Sequence, residues 1–327
     1  MSKKAPGKAN REGISLTKLI RMFPDDDTSR KWIESVVWPD GPYCPSCGTF
    51  NVQSGIKHKT MTHRCRECTG KPRFSVKTGT VMQSSKLGYQ IWAIAAYLVT
   101  TNLKGVSSMK LHRDLEITQK SAWHLAHRLR KAYEAGHGLF NGPVEADESH
   151  WGGKRRNMSN AKRKELKDTG RGTVGKTAVA GVKDRETNKV VARVVESVDK
   201  PTLQGFVRAH AKPGATLYTD ESGSYAGMPE YHHEAVNHSV SEFVRDMAST
   251  NGMESFWSMV RRGHHGTFHK FSPKHLDRYV AEFSGRHNVR SQDTIEQMGE
   301  LTAGMIGKRL RYKDLIADNG LDSGARS

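Results

Sequence analysis

Two Cys-x-x-Cys pairs near the N-terminus constrain the fold of this chain more than any other feature of its sequence. The first pair is Cys44 and Cys47, and the second is Cys65 and Cys68, with seventeen residues between the two pairs. Together they supply the four thiolates that tetrahedral zinc requires, at a spacing typical of a zinc ribbon. Because four sulfur ligands leave no open coordination position, we expect one structural Zn²⁺ that stabilises the fold and performs no chemistry.

The remaining composition indicates a cytoplasmic protein with a polyanionic partner. The chain has no further cysteine, and its N-terminus lacks the apolar core of a signal peptide. The paired cysteines therefore indicate metal binding in a reducing compartment rather than disulfides. No apolar run approaches the roughly 18 residues of a membrane-spanning helix. The formal net charge of +18 favours nucleic acid as the partner over an anionic membrane surface.

The N-terminal part is interpreted as a DNA-binding region in three segments. Residues 1–41 form a basic arm and short helices, residues 42–86 the zinc ribbon, and residues 87–138 three helices. The last of these helices combines an apolar stripe with basic residues on its other faces. This pattern favours a helix-turn-helix whose final helix meets DNA, although trihelical packing is also common without DNA binding. The DNA contacts expected on that helix are Lys120, His124, Arg128 and Lys131.

From residue 142 onward, short strands alternate with helices, which is the pattern of a mixed-sheet domain. We therefore predict a multidomain protein of the α+β or α/β class, in which a catalytic domain over residues 142–295 follows the DNA-binding region. Residues 154–171 are predicted to form an exposed basic loop that contacts phosphates. Residues 296–327 are predicted to form a basic C-terminal tail.

Three carboxylates in the second half are candidates for one metal site. Asp147 and Asp220 each lie near the end of an apolar strand, and Glu254 lies on a helix with a buried apolar stripe. Strand ends and a flanking helix can bring distant acids into one pocket. Oxygen donors without competing nitrogen or sulfur favour Mg²⁺ or Mn²⁺, and two such ions can serve a phosphodiester displacement. Strand alternation places Glu145 on the same face as Asp147, so Glu145 is a competing candidate.

The strings Val144–Lys154, Tyr218–Ser222 and Asn251–Arg261 resemble the catalytic motifs of ISXO-type insertion-sequence transposases of the DDE class. The resemblance spans about residues 30–290, zinc ribbon included. It implies a ribonuclease-H-like domain that cuts and rejoins DNA with two Mg²⁺ (or Mn²⁺) ions per active site.

The resemblance also implies roles for individual residues. Asp147 and Asp220 match the first two catalytic acids, and Glu254 matches the third. Arg261 matches the basic residue seven positions after the third acid, which is usually lysine. Asn251 is an alternative third ligand, because some members of the group use asparagine. Glu254 is preferred because a carboxylate neutralises a divalent cation better than an amide does.

These observations predict a prokaryotic, nucleoid-associated DNA transposase. It would cleave the ends of an insertion sequence and join the freed 3′-hydroxyls to target DNA, acting as a homodimer or higher oligomer on double-stranded DNA. Two alternatives remain: a zinc-ribbon regulator with an inactive catalytic domain, and a ribonuclease-H-like nuclease without strand transfer. The segment that begins at His264 is interpreted as a loop that contacts DNA, without a fixed helical frame, rather than as a histidine metal site. Further DNA contacts are expected from Lys154, Arg155, Arg156, Arg262, His264 and His265.

Overall fold

The computed structural model describes residues 12–70, 72–134, 138–153, 158, 160–165, 175–220, 223–236 and 250–323. The helices are α1 (Leu16–Met22), α2 (Asp26–Val37), α3 (Tyr89–Thr101), α4 (Ser108–Asp114), α5 (Gln119–Ala132), α6 (Asn160–Glu165), α7 (Lys200–His210), α8 (Asn251–Gly263), α9 (Leu276–Asn288), α10 (Thr294–Ala303) and α11 (Tyr312–Ile316). The strands are β1 (Val52–Ser54), β2 (His63–Cys65), β3 (Arg73–Phe74), β4 (Val144–Trp151), β5 (Thr177–Asp184), β6 (Val190–Val195), β7 (Thr216–Asp220) and β8 (His232–Val236).

These elements form two compact units. The first contains residues 12–134 and returns for residues 289–317, and the second contains the described residues between 138 and 288 together with 318–323. Within the described ranges, no helix has both the length and the apolar character needed to cross a bilayer.

The first unit is a helical cluster around α3, with the three antiparallel strands β1, β2 and β3 beside it. Helix α3 is apolar on most of its circumference and buries Trp92, Ala95 and Leu98, which is the pattern of a helix enclosed by others. Side-chain caps define where its neighbours begin. Asp25, for example, accepts a hydrogen bond from the backbone N–H of Thr28 at the start of α2.

Residues 296–327 were predicted to form a basic C-terminal tail, but the structure places the helix α10 of this segment in the core of the first unit. Helix α10 begins in a capping box formed by Asp293 and Glu296, and it buries Met298 and Leu301 in the same core as α3 and α5. The apolar residues recur at helical spacing. The basic residues that follow them dominate the composition of this segment, so the helical spacing of the apolar residues was overlooked in the prediction.

The second unit is built on a five-stranded sheet with the order β6-β5-β4-β7-β8. Strands β4, β5 and β6 pair antiparallel, whereas β4, β7 and β8 pair parallel. The predicted mixed α/β class is therefore confirmed. The described part of the basic segment 154–171 contains the short helix α6, where an exposed loop was predicted.

Helices cover both faces of this sheet. Helix α7 packs on one face, where Leu203 and Val207 join a core that includes Val144 and Ala146 of β4. Helices α8 and α9 pack on the other face. The side-chain amide of Asn288, at the end of α9, accepts from the N–H and donates to the C=O of Val190, at 2.7 and 2.9 Å. This pairing satisfies backbone groups of the edge strand β6.

We predict that α10 contributes to the stability of the first unit. Leu301 is 1% exposed, so Leu301→Ala should lower the free energy of unfolding by about 2–5 kcal/mol through lost burial and a cavity. Ile316→Ala is the control, because its side chain is 52% exposed and its loss should cost about 0.5 kcal/mol or less. Denaturant titration followed by circular dichroism measures both. Equal stability of the two variants would mean that the segment behaves as a tail.

Candidate active site and metal centre

The four cysteines converge on one point of the first unit, as the sequence predicted. Their sulfur atoms all lie within 4.8 Å of one another, with Cys44 Sγ 3.8 Å from Cys68 Sγ and Cys47 Sγ 3.7 Å from Cys65 Sγ. Four thiolates about 2.3 Å from a tetrahedral zinc stand about 3.8 Å apart, so the cluster has the dimensions of a zinc site. The N–H groups of Glu67 and Cys68 also donate to Cys65 Sγ and hold the second Cys-x-x-Cys turn around that sulfur.

In the second unit, Asp147 and Asp220 lie at the point where two neighbouring parallel strands part. Val144 of β4 pairs with Leu217 of β7, and the same offset continued along both strands brings Asp147 level with Asp220. Strand β7 ends at Asp220, while β4 continues in its pairing with β5. Such a gap at the carboxyl ends of parallel strands is a common position for ligand sites in α/β sheets.

The carboxyl of Asp147 is half-buried beside two other acids. Burial, reinforced by the charges of Glu148 and Asp220, raises the pKa of Asp147 to about 7. Burial and the charge of Asp220 likewise raise the pKa of Glu148, whose side chain accepts a 3.0 Å hydrogen bond from the buried hydroxyl of Tyr225. This end of the sheet therefore concentrates negative charge with little solvent to screen it.

The helix that carries Glu254 is attached to the sheet at its N-terminus by Glu145, which is 4% exposed. One carboxylate oxygen of Glu145 accepts from Arg185 Nε and the other accepts from the backbone N–H of Met253, each at 2.8 Å. The residue before α8, Thr250, provides no side-chain cap, so Glu145 satisfies an amide that the helix leaves open. The guanidinium of Arg185 also stacks on Tyr218, 3.9 Å from the ring centroid. Glu145 thus has protein partners on both oxygens, which argues against its alternative role as a metal ligand.

Two glycines allow this close approach. A Cβ on Gly252 would lie 2.6 Å from Glu145 Oε2 and 2.7 Å from Lys183 Nζ. A Cβ on Gly181 of β5 would lie 2.3 Å from the terminal methyl of Met253. At Gly181 the contacting atom is the flexible end of Met253, whereas at Gly252 it is the Glu145 carboxylate, which is held by two hydrogen bonds. A side chain at Gly252 would therefore displace a fixed group.

Further along α8, two side chains reach the inward face of β4. The indole Nε1 of Trp257, a residue that is 1% exposed, donates to Asp147 Oδ2 at 3.0 Å. One helical turn later, Arg261 Nη2 donates to Ser149 Oγ at 3.1 Å. Residues 145, 147 and 149 alternate onto one face, and α8 contacts each of them in turn. The sequence did not identify Arg185 or Trp257 as site residues. Arg185 follows a hairpin strand, and Trp257 has the pattern of an ordinary core residue.

Glu254 and Asn251 are both exposed residues of the first turns of α8. Glu254 lies between the turn that contacts Glu145 and the turn that contacts Asp147. Among the residues that the structure describes, the four cysteines are the only set of three or more His, Cys, Asp or Glu residues with ligand atoms within 4.8 Å of one another. Asp147 and Asp220 therefore lie near each other, and they do not form a closed ligand cluster with Glu254.

The DNA contacts predicted on α5 need correction at two positions. Arg128 is 8% exposed, and its guanidinium donates to the carbonyls of Leu310 and Gln83 at 3.2 and 3.1 Å. His124 Nε2 contacts the same Leu310 carbonyl at 2.9 Å. These side chains are therefore occupied by the returning chain. Lys131 pairs with Glu134, whereas Lys120 remains exposed.

The predicted contacts after α8 divide in the same way. Residues 264–268 form a π-helical turn that continues α8, so this segment does have a helical frame, contrary to the prediction. His264 packs against Trp151 and Phe271, which removes it from the surface proposed for DNA. Arg262 and His265 are exposed. The predicted contacts Lys154, Arg155 and Arg156 lie outside the described residues.

Both units have counterparts in known proteins. Residues 140–288 match the ISXO2-like transposase domain, and residues 24–71 match the transposase zinc-ribbon domain. The chain is also 26% identical over 283 residues to an uncharacterized protein in transposable element ISH50 of Halobacterium salinarum. That alignment covers 83% of this chain and 93% of the relative.

We predict that the cysteine cluster holds about one zinc per chain. Cys44→Ser should abolish zinc binding and unfold the first unit, because a structural site loses its folding energy with any one ligand. Ser46→Ala, an exposed position between the two cysteines of the same turn, should leave both unchanged. Elemental mass spectrometry and circular dichroism measure the outcomes. Well under one zinc per chain in the natural protein would contradict the assignment.

We also predict that Gly252 admits no side chain. Gly252→Ala should lower the free energy of unfolding by about 1–3 kcal/mol, because the new methyl group displaces Glu145 or Lys183. Gly205→Ala, on the exposed face of α7 with no atom within 4 Å of its Cβ, should be neutral or stabilising by up to about 1 kcal/mol. Parallel denaturant titrations compare the two. A Gly252→Ala protein as stable as Gly205→Ala would mean that α8 is not held at this distance.

Proposed function

Because the chain belongs to the ISXO2-like insertion-sequence transposases with a zinc ribbon, we propose that it cleaves the ends of a mobile element and joins their 3′-hydroxyls to target DNA. The observation that carries the proposal is that Asp147 and Asp220 lie close together where two parallel strands part, with α8 fixed beside Asp147. We further propose that the second unit is ribonuclease-H-like. The strand order β6-β5-β4-β7-β8, antiparallel on one side of β4 and parallel on the other, supports this assignment.

The residues present suit hard divalent cations. The donors are carboxylate oxygens, with no thiolate or imidazole among the proposed ligands, and this set favours Mg²⁺ or Mn²⁺. Burial, together with repulsion from Glu148 and Asp220, raises the pKa of Asp147, and positive charge in the same gap would offset both effects. Asp147, Asp220 and Glu254 would hold the ions, with Asn251 as the alternative third ligand. Two bound ions would activate the attacking oxygen and stabilise the leaving oxygen of a phosphodiester.

The protein's own side chains orient these acids. Trp257 Nε1 and the backbone N–H of Glu148 donate to different oxygens of Asp147, at 3.0 and 2.8 Å, and fix the plane of its carboxylate. Arg261 is exposed and lies one turn beyond Trp257, a position from which its fork can bind a phosphate of the DNA strand. Arginine in place of the usual lysine keeps the charge and adds a bidentate geometry.

The remaining parts of the proposal concern the DNA. The zinc-ribbon unit would bind the terminal inverted repeats, and the basic balance of the chain would retain both element ends and target DNA. Bringing two ends together requires at least two copies of the chain, so the active form would be a dimer or a higher oligomer on DNA. The substrate would place the protein in the prokaryotic cytoplasm, at the nucleoid.

The test is a strand-transfer assay with a pre-cleaved, labelled element end and Mg²⁺ or Mn²⁺. Asp147→Ala and Glu254→Ala should each reduce joined product more than about 100-fold, beyond the usual effect of changing a residue that only supports a ligand. Glu196→Gln, which removes an exposed acid of the same unit, is the control and should retain activity. Glu254→Gln and Asn251→Ala, compared directly, identify which of the two contacts the ion.

The alternatives give different results in the same assay. Cleavage without any joined product would favour a nuclease. DNA binding that is indifferent to Asp147→Ala, with no joining under either metal, would favour a regulator. Full activity of the Asp147→Ala protein would contradict the proposed site itself.

A further inference from the structure

The first unit carries a group of cations contributed by α5 and by the segment 308–313. Among the residues that the structure describes, no carboxylate forms an ion pair with Lys120, Arg128, Arg309 or Lys313. Arg311, by contrast, forms a bidentate pair with Asp314, with both contacts at 2.7 Å. Burial and, after it, the nearby charge of Arg309 lower the pKa of Arg128. The group is therefore a concentration of positive charge, since neither α5 nor the segment 308–313 contains an acidic residue.

Specific contacts hold the two segments together. The carbonyl of Leu310 accepts hydrogen bonds from His124 Nε2 and Arg128 Nε. The ring of Tyr312 lies under Lys120, with Nζ 4.5 Å from the centroid. Leu310 is 4% exposed and Leu315 is fully buried, so the segment is anchored on both sides of Tyr312. Residues far apart in the chain thus form one ordered surface, called here the α5–308 surface (Lys120, Arg309, Tyr312 and Lys313).

The position of this surface suits a DNA duplex. Helices α4 and α5 and the turn between them have the order of a helix-turn-helix, in which the N-terminal residues of the second helix contact base edges. Gln119 and Lys120 in the first turn of α5 are exposed, whereas the second half of the helix is largely buried. Lys313 is exposed and follows Tyr312, which contacts Lys120 in that first turn. Arg309 is exposed near Arg128, about two turns further along α5. Phosphates flanking a groove could lie against both.

We propose that the exposed cations of the α5–308 surface, Lys120, Arg309 and Lys313, bind phosphates of duplex DNA, while His124 and Arg128 position the segment that carries two of them. The inference rests on the proposed function for the identity of the polyanion. Its physical basis is that like charges held close together repel one another, and a phosphate backbone relieves that repulsion while counter-ions are released. Phosphate contacts fix the position of a protein on DNA but do not read sequence.

The experiment measures binding of the full-length, zinc-loaded chain to two labelled duplexes, one carrying the element end and one a scrambled sequence of equal length. Affinity is followed by fluorescence anisotropy between about 50 and 200 mM salt. Arg309→Ala combined with Lys313→Ala should weaken binding to both duplexes and reduce the slope of log K against log salt by about two. Adding Lys120→Ala should reduce that slope by about one more.

The control is Lys18→Ala combined with Lys31→Ala, which removes the same net charge from the same unit. Those two lysines already pair with Glu12 and Asp27, so the slope should stay as in the natural protein. Circular dichroism and zinc content verify that each variant is folded. An equal loss of slope in the control variant would indicate an effect of net charge alone and would overturn the proposal.

Two further outcomes would also overturn it. An unchanged slope in the folded Arg309→Ala, Lys313→Ala variant would mean that the surface does not contact DNA. Tighter binding by that variant would mean that the segment 308–313 blocks access of DNA to α5 instead of adding phosphate contacts beside it. A natural chain that binds neither duplex contradicts the proposed function together with this surface, whereas natural binding with an unchanged slope in the variant contradicts the surface alone.

Discussion

The buried carboxylate of Glu145 is the interaction on which the arrangement of the second unit depends. It joins three elements, because its oxygens accept from Arg185 after β5 and from the amide of Met253 at the start of α8, while its own backbone belongs to β4. A buried ion pair adds little net stability over a well-packed apolar pair, but removing one partner typically costs about 3–5 kcal/mol. Its main effect is therefore to specify one position of α8 along β4.

That position determines the rest of the site. Once the N-terminus of α8 is fixed, helical rise brings Trp257 to Asp147 and Arg261 to Ser149. A shift of α8 by one residue would break all three contacts together, since each comes from a different turn of the same rigid helix. The apolar residues on the inner side of α8 are buried against the sheet, but an apolar stripe alone would allow the helix to shift along β4. The polar contacts remove that freedom.

The sequence alone was sufficient to predict the features that depend on residues close together in the chain. Paired cysteines define the zinc site by spacing alone, and strand alternation correctly places Glu145 and Asp147 on one face. Alternation could not separate their roles, because two inward-facing acids look alike in sequence. The distinction comes from Arg185 and the α8 amide, which are brought to Glu145 by hairpin pairing and helix packing. Those are long-range events that a periodic pattern does not contain.

The predicted DNA contacts at His124 and Arg128 of α5 needed correction for the same reason, namely a long-range contact that the sequence pattern does not contain. Here the buried side chains are basic, whereas Glu145 is acidic. His124 and Arg128 lie off the apolar stripe and were therefore assigned to solvent or DNA, yet they face a carbonyl that returns from residue 310. A buried cation satisfied by backbone carbonyls needs no acidic partner in the sequence to reveal it. Glu145 on an amide and Arg128 on carbonyls act in the same way, because in each case a buried charged side chain fixes a backbone segment that also carries exposed residues. In both units, the buried charge determines the position of the exposed residues that we propose to act on DNA.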